Sequence, residues 1–538
     1  MTMNSVLKPR RIPRGVEAAP VDSVDESRRT ASNDRTGVMW SLFRITIGLV
    51  TTMIIFAVPL CVFPSRFGLI SAAFALLFIL GLGVVIAMVD MPTVVASAVS
   101  AALLQNTLLG LFHGNDGEVG IVVNEAKTIL VAAVALVVFY RHGWRSRGNR
   151  WLLAILAVYA VVLVVHNAGF NSSFVANARN FALPIALLVV IALSDPVRDL
   201  GGQLYSQWLV GVTAAILLVG SLGELSMGTE AWRHFLHADA LPGLNSLSET
   251  TVFAGFELSR VGGFLMEPVT AGYVATFVVL HGAIIFMRAV RTRQCTRGIV
   301  LFSFFVVVSG FSVIILASTK NSLLMIAAGV VSYVFSCVGW SKLWAFICSI
   351  AFGIGATFAY TTAVQGIGYI PAALADPVGA SGGESTSIHN AGLLSGIYSL
   401  ASSPLGHGVG SGGNFYRLYN PDISPRDWLG SGGESAVGTY LYQLGLLAVL
   451  FLSVMTFVVL PRLTEEATAV LAAFATASFF AESLFGAPVA IPALFFIGLL
   501  CGLAPVRTAT TAGKKIFWAG GGGKNDSALR PRSAIRSR

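Results

Sequence analysis

Three stretches of the chain carry charged groups that could handle a phosphate and a hydroxyl. The first is Arg260-Val261-Gly262-Gly263-Phe264-Leu265-Met266-Glu267-Pro268. A helix running from Glu257 would place Glu257, Arg260 and Glu267 on nearby faces, spaced by three and then seven. An arginine at the mouth of such a helix suits bidentate contact with a phosphate. The alternative is an arginine that snorkels at the end of a membrane span. The second stretch, Ser318-Thr319-Lys320-Asn321-Ser322, is a short hinge between apolar runs. Its lysine is either an anion-binding group or an interfacial cation. The third runs from about Val364 to Gly433 and carries His389, His407, Arg417, Asp422, Arg426 and Asp427, with Glu434 at its exit. Glu434 or His389 could take a proton from a hydroxyl nucleophile. A helix-capping carboxylate and plain loop histidines are the alternatives.

A small repetition marks the third stretch. Ser381-Gly382-Gly383-Glu384-Ser385 recurs as Ser431-Gly432-Gly433-Glu434-Ser435, with an echo at Ser411-Gly412-Gly413-Asn414. Paired glycines can turn successive N–H groups toward an anion, or can serve only as flexible turns.

What positions these residues is a membrane bundle. The chain is 55% hydrophobic and 11% charged, against about 25% charged in soluble domains. Apolar runs of about 20 residues, the length needed to cross the hydrocarbon layer, recur throughout. They fall near residues 42–63, 67–89, 92–112, 120–140, 151–167, 177–194, 206–223, 264–287, 299–318, 321–338, 343–363, 435–460, 466–482 and 488–505. The fold expected is an all-α polytopic membrane protein with about 12–14 transmembrane helices, since a spanning segment must satisfy its own backbone. Charge inside the spans reads as scarce: Glu482, His281 and His166 stand out, with no carboxylate–lysine pair at mid-depth. That counts against an ion-coupled transporter.

Arginine placement gives an orientation. Residues 1–40 read as a disordered basic cytoplasmic tail, with Arg10, Arg11, Arg14, Arg28 and Arg29 and no apolar core of signal-peptide type. Alternation then puts residues 141–150 and 288–297, each with four arginines, on the same side as that tail. The basic tail 506–538 falls there too. Between the tails lie spans over 41–363, with an outer loop near 224–260, then the large loop 364–433 and the last spans over 434–505. The net charge of +9 sits in the tails and inner loops, where anionic lipid and topology account for it, so no nucleic acid is called for. The five cysteines have no metal-ligand spacing and imply no disulfide framework.

At these residues the chain resembles the O-antigen polymerase/ligase superfamily of bacterial membrane enzymes. The matching pieces are Arg-x-x-Gly-Phe-x-x-x-Pro (Arg260 to Pro268), Ser-x-Lys (Ser318 to Lys320), Pro-Leu-Gly-x-Gly-x-Gly (Pro404 to Gly410) and the long outer loop before the last spans. A looser match runs from Glu434-Ser435 to Gly445-Leu446-Leu447-Ala448. Here Glu434 stands where the ligases carry histidine, Lys320 where arginine is usual, and Ala448 replaces a glycine. The resemblance implies a bundle like that of membrane glycosyltransferases of the GT-C type, metal-independent activity without a cofactor, and a long periplasmic loop in the bacterial inner membrane. The substrate implied is an undecaprenyl-diphosphate-linked glycan, embedded among membrane lipid, with a further partner that sets chain length. Glu434 and His389 are then expected to be catalytic, and Arg260, Lys320, Arg417, Arg426 and Glu267 to bind the diphosphate and substrate. Polymerase is the reading favoured, with ligase and lipid-linked oligosaccharide flippase as alternatives.

Overall fold

The computed structural model describes residues 39–54, 69–111, 117–238, 250–253, 256–366 and 384–503. Both tails and residues 367–383, which include the Ser381–Gly383 part of the repeat, lie outside these residues, as do Cys61 and residues 239–249. The described chain is helical apart from one two-stranded antiparallel hairpin, β1 (Thr250–Phe253) with β2 (Phe256–Ser259). Among the described residues eight helices are long and apolar enough to cross a membrane, so the protein is a multi-pass membrane protein.

In chain order the helices are α1 (Met39–Ile54), α2 (Leu69–Leu111), α3 (Gly117–Val138), α4 (Arg147–Val165), α5 (Ser172–Leu193), α6 (Pro196–Asp199), α7 (Gly202–Met227) and α8 (Thr229–Phe235). After the hairpin come α9 (Pro268–Thr292), α10 (Arg297–Ala317), α11 (Lys320–Cys337) and α12 (Lys342–Gly366). The last set is α13 (Glu384–Ser402), α14 (Gly413–Tyr419), α15 (Pro425–Gly430), α16 (Ala436–Leu444), α17 (Leu446–Val459), α18 (Glu465–Ser478) and α19 (Ala487–Cys501).

The sequence boundary expected between residues 89 and 92 is a kink within α2. Asp90 leaves helical geometry two residues before Pro92, where a proline ring clashes with the preceding turn. Its carboxylate accepts from Thr93 Oγ1 at 2.6 Å and pairs with Arg44 at 3.1 Å. At this same end Arg141 and His142 meet Asp199, Arg288 meets Glu466 at 2.9 Å, and Arg291 meets Glu465 at 3.0 Å.

Two central helices carry almost no exposed surface. Residues 270–282 of α9 and 489–500 of α19 are buried without interruption. At the end of the bundle away from the Asp90 kink, the late helices stop short. With 14 and 15 residues, α18 and α19 extend only about 21 and 22 Å at 1.5 Å per residue. The span expected over 435–460 is likewise broken, at Gly445, into α16 and α17. The resulting recess is filled by residues 403–435.

Broken backbone at membrane depth requires partners from the protein itself. The Pro404–Gly410 turn supplies them. His407 and Gly408 donate to the carbonyls of Tyr442 and Gln443, Leu446 donates to Pro404, and Val409 donates to His166. Gly406, Gly408 and Gly410 all have positive φ, and a Cβ on any of them would strike neighbouring backbone. This motif is therefore a structural seam between the α4–α5 junction and α16. Beside it, α13 crosses α16 at backbone distance. Gly392 and Gly396, one turn apart, lie against Gly433 and Gly438 with no room for a side chain.

This crossing makes a prediction. Gly438→Ala should destabilise the protein by about 1–3 kcal/mol, the usual cost of forcing extra volume into a packed contact. Gly355→Ala, on α12 with open surroundings, should be neutral or stabilising by about 0.5–1 kcal/mol. Thermal unfolding in detergent reads both, and equal midpoints would contradict the crossing.

Candidate functional site

Local structure around Arg260 differs from the helix expected. Glu257 lies in β2 and not on a helix with Arg260, and the chain reaches Pro268 through a short 3-10 turn, Gly263–Leu265. Four elements hold this segment. The Glu224 carboxylate of α7 accepts the Gly262 and Gly263 N–H groups at 2.9 and 2.6 Å. Trp232 of α8 donates to the Gly263 carbonyl, and Thr107 and Asn106 of α2 donate to those of Phe264 and Leu265. Val261 N–H bonds to Leu316, and Arg260 Nε reaches the Ala317 carbonyl at the end of α10 at 3.3 Å. Arg260 is thus a half-buried, positioned cation, and burial lowers the pKa of its guanidinium.

The Ser318–Ser322 hinge abuts the first turn of α9. Ser322 Oγ donates to Gly272, and Asn321 Nδ2 donates to the Tyr273 hydroxyl at 3.1 Å. Lys320 is the first residue of α11, and its side chain lies outside the described part. The fields of Glu434, Glu267 and Arg260 all reach the Tyr273 hydroxyl. Glu267 precedes Pro268, accepts from Thr270 Oγ1 at 2.7 Å, and has its pKa raised by burial, with Thr270 opposing and the charge of Glu434 adding to the rise.

Glu434 has φ of +67°, a strained setting for a residue other than glycine. It does not cap α16. Ser435 does, accepting from Gly438 N–H while its hydroxyl donates to Phe479. Left free of capping, the Glu434 carboxylate lies 3.7 Å from His389 Nδ1, which also sits 3.2 Å from the Glu434 carbonyl. The two sequence candidates for proton acceptor are therefore one pair. Glu482, in the turn between α18 and α19, also senses Glu434. The Glu482 carboxylate accepts Asn414 N–H at 2.6 Å, while Gly413 N–H goes to Ser431 Oγ. The third echo of the repeat does turn an N–H to a carboxyl group, and that group is the protein's own.

Arg417 and Arg426 are exposed. The Arg417 guanidinium stacks over Trp428 at 4.3 Å, and Trp428 Nε1 bonds Asn414, so this pair reaches the site through Asn414 and Glu482. His407 stacks on Tyr442 and donates its backbone N–H to the seam.

The expected scarcity of charge in the spans is overturned by α3 and α5. Glu125 pairs with Arg179, and Lys127 is buried with Nζ donating to the Asn124 carbonyl. Lys127 lies ten residues from the start of α3, about 15 Å along the helix. All three residues fall in segments read as apolar runs, where their neighbours mask them in any hydropathy average. The signal in the sequence is Asn-Glu-Ala-Lys, with two charges two apart in a run that needs none. Among the described residues no group of three or more His, Cys, Asp or Glu side chains is arranged to hold a metal.

The fold and site define the class: a helical, multi-pass membrane protein in which Arg260, Glu267 and the Glu434–His389 pair gather around Tyr273. Comparison with protein-family models, curated proteins and solved structures finds no match.

The Glu267 environment predicts a pH dependence. A carboxyl whose folded-state pKa is raised favours the fold while protonated and loses that contribution as pH rises. Relative to Glu267→Gln, the wild type should lose thermal stability as pH climbs from the ordinary value of 4.5 through the raised folded value. Parallel stability–pH curves for the two proteins would contradict the assignment.

Proposed function

We propose that the protein is a polysaccharide polymerase of a bacterial inner membrane, related to the O-antigen polymerase/ligase superfamily. The site end of the bundle faces the periplasm and both termini face the cytoplasm, as the arginine distribution implies. The reaction moves a growing glycan from undecaprenyl diphosphate to the terminal hydroxyl of a lipid-linked repeat unit. The hydroxyl oxygen bonds to the anomeric carbon, the carbon–oxygen bond to the diphosphate breaks, and the hydroxyl proton passes to the protein.

The observation that carries this reading is the convergence of Arg260 with the Glu434–His389 pair around Tyr273 and Glu267. Arg260, beside the Lys320 hinge, supplies positive charge for the departing diphosphate, where fixed charge lowers the barrier most. The Glu434–His389 pair supplies the proton acceptor, since an imidazole oriented through one ring nitrogen leaves the other for the acceptor hydroxyl. Glu267 lies between the two functions, and Arg417 on Trp428 offers a flat, exposed platform suited to a sugar ring. The superfamily pieces at Arg260–Pro268 and Ser318–Lys320 meet at the first turns of α9 and α11, which is consistent with a shared role.

The charged cluster at Lys127 favours a second reading, a lipid-linked oligosaccharide flippase, because buried ions in spans mark transport pathways. One assay separates the readings. Purified protein incubated with lipid-linked repeat units, without added metal, should give a ladder of elongated products. Arg260→Ala, Glu434→Ala and His389→Ala should each lower elongation at least about a hundredfold, the usual contribution of an electrostatic or acid–base group. Wild-type ladders from Arg260→Ala and Glu434→Ala would remove the site, and carrier-bound chains moved across vesicles without elongation would point to the flippase.

A further inference from the structure

Arg260 and the segment that carries it are held from two sides, by different helices. One side is the end of α10, whose last carbonyls have no partner inside the helix. Val261 N–H bonds to that of Leu316 at 3.0 Å, and Arg260 Nε donates to that of Ala317 at 3.3 Å. With Nε engaged there, the guanidinium keeps its two terminal amino groups, which have no hydrogen-bond partner among the described residues. Those groups are the part of an arginine that grips a phosphate as a fork.

The other side is α7, where Gly220 and Glu224, one turn apart, share a buried face. A Cβ on Gly220 would strike Phe264, and a Cβ on Gly263 would strike the backbone of Gly220 and Ser221. The segment thus lies directly on the helix, within reach of the Glu224 side chain. Gly262 N–H and Gly263 N–H converge on a single oxygen of it, Oε2, at 2.9 and 2.6 Å. Glu224 is buried, so what it touches is backbone two and three residues beyond Arg260 and not the substrate. The carbonyls of Gly263, Phe264 and Leu265 are held separately, by Trp232, Thr107 and Asn106. Loss of Glu224 therefore loosens the segment without releasing it.

We propose that Glu224 is a positioning residue for the reaction: through Gly262 and Gly263 it sets where the Arg260 fork stands. The α10 carbonyl fixes how the guanidinium is turned, and Glu224 fixes how far the backbone beneath it can move. This role rests on the function proposed above, which gives Arg260 the departing diphosphate as its partner. A group displaced by about 1 Å from its reacting partner can lose on the order of a hundredfold in rate.

The test is a double-mutant cycle on elongation by the full chain in nanodiscs, supplied with lipid-linked repeat units. Glu224→Ala should lower kcat between about tenfold and a hundredfold, while KM changes less than about threefold. Glu224→Gln, whose amide oxygen can accept the same two N–H groups, should recover most of that loss. In an Arg260→Ala background, Glu224→Ala should lower kcat no further, since its effect passes through a guanidinium already gone. The thermal midpoint should fall in both backgrounds, because two buried N–H groups lose their acceptor either way. Where Glu224→Ala does not accumulate, Glu224→Asp withdraws the carboxyl group by one carbon and should give the same pattern: a lower kcat beside Arg260, and no added loss without it. Three outcomes overturn the role: wild-type kcat in the Glu224 variants, no recovery in Glu224→Gln, or kcat losses that multiply in the double variant. A wild type that elongates while those losses multiply removes only this role. A wild type that does not elongate removes the proposed reaction with it.

Discussion

A carboxylate enclosed in an apolar bundle must be answered by a hydrogen-bond donor or give up its charge. At the site end of this protein the donors are backbone N–H groups of the connecting segments. Glu224 takes the N–H groups of Gly262 and Gly263, and Glu482 takes that of Asn414. Each carboxylate stands on or between spanning helices, and each donor belongs to a segment that connects them. The bonds therefore fix where those connecting segments sit. Arg260 is held two residues before the first clamp, and the glycine-rich segment is pulled down by the second into the recess left by α18 and α19. Removing either carboxylate would leave buried N–H groups unpaired, at about 1–3 kcal/mol each, and would free the segment that carries the chemistry.

The same constraint separates the carboxylates that anchor backbone from Glu434. Glu224 and Glu482 are occupied by N–H groups. Glu434 has no backbone donor of this kind; it meets a histidine, holds a left-handed backbone, and leaves capping to Ser435. Strain of that sort persists only where the surroundings enforce it. Here the enforcing contact is the crossing of α13 over α16, whose glycines bring the two backbones together and place His389 beside Glu434.

Much of the membrane architecture was legible in the sequence because hydropathy reports it directly. The apolar runs over 67–89 and 92–112 illustrate this, since the boundary read between them falls on the kink at Asp90. The pairing of His389 with Glu434 was not legible, because it depends on a glycine crossing forty-odd residues away along the chain. The hairpin before Arg260 was missed for a different reason: the spacing of Glu257 and Arg260 fits a helix turn as well as a strand. Glu224 sits at the end of an apolar run and reads there as a boundary residue. Glu125, Lys127 and Arg179 escaped because an average over a span conceals two or three charges, and only the packing of α3 on α5 shows that they face one another.

Charge balance sets the remaining condition on the site. The charge of Glu434 acts on both Glu267 and Glu482, and that of Arg260 acts on Tyr273 beside them. Carboxylates held this close together disfavour one another's ionisation. Burial helps, because a Glu267 carboxyl with a raised pKa carries less charge at a given pH than an exposed one. The groups come from different elements: Arg260 reaches the end of α10, the Glu434–His389 pair is set by α13 against the start of α16, and the charges of both Arg260 and Glu434 act on Tyr273 of α9.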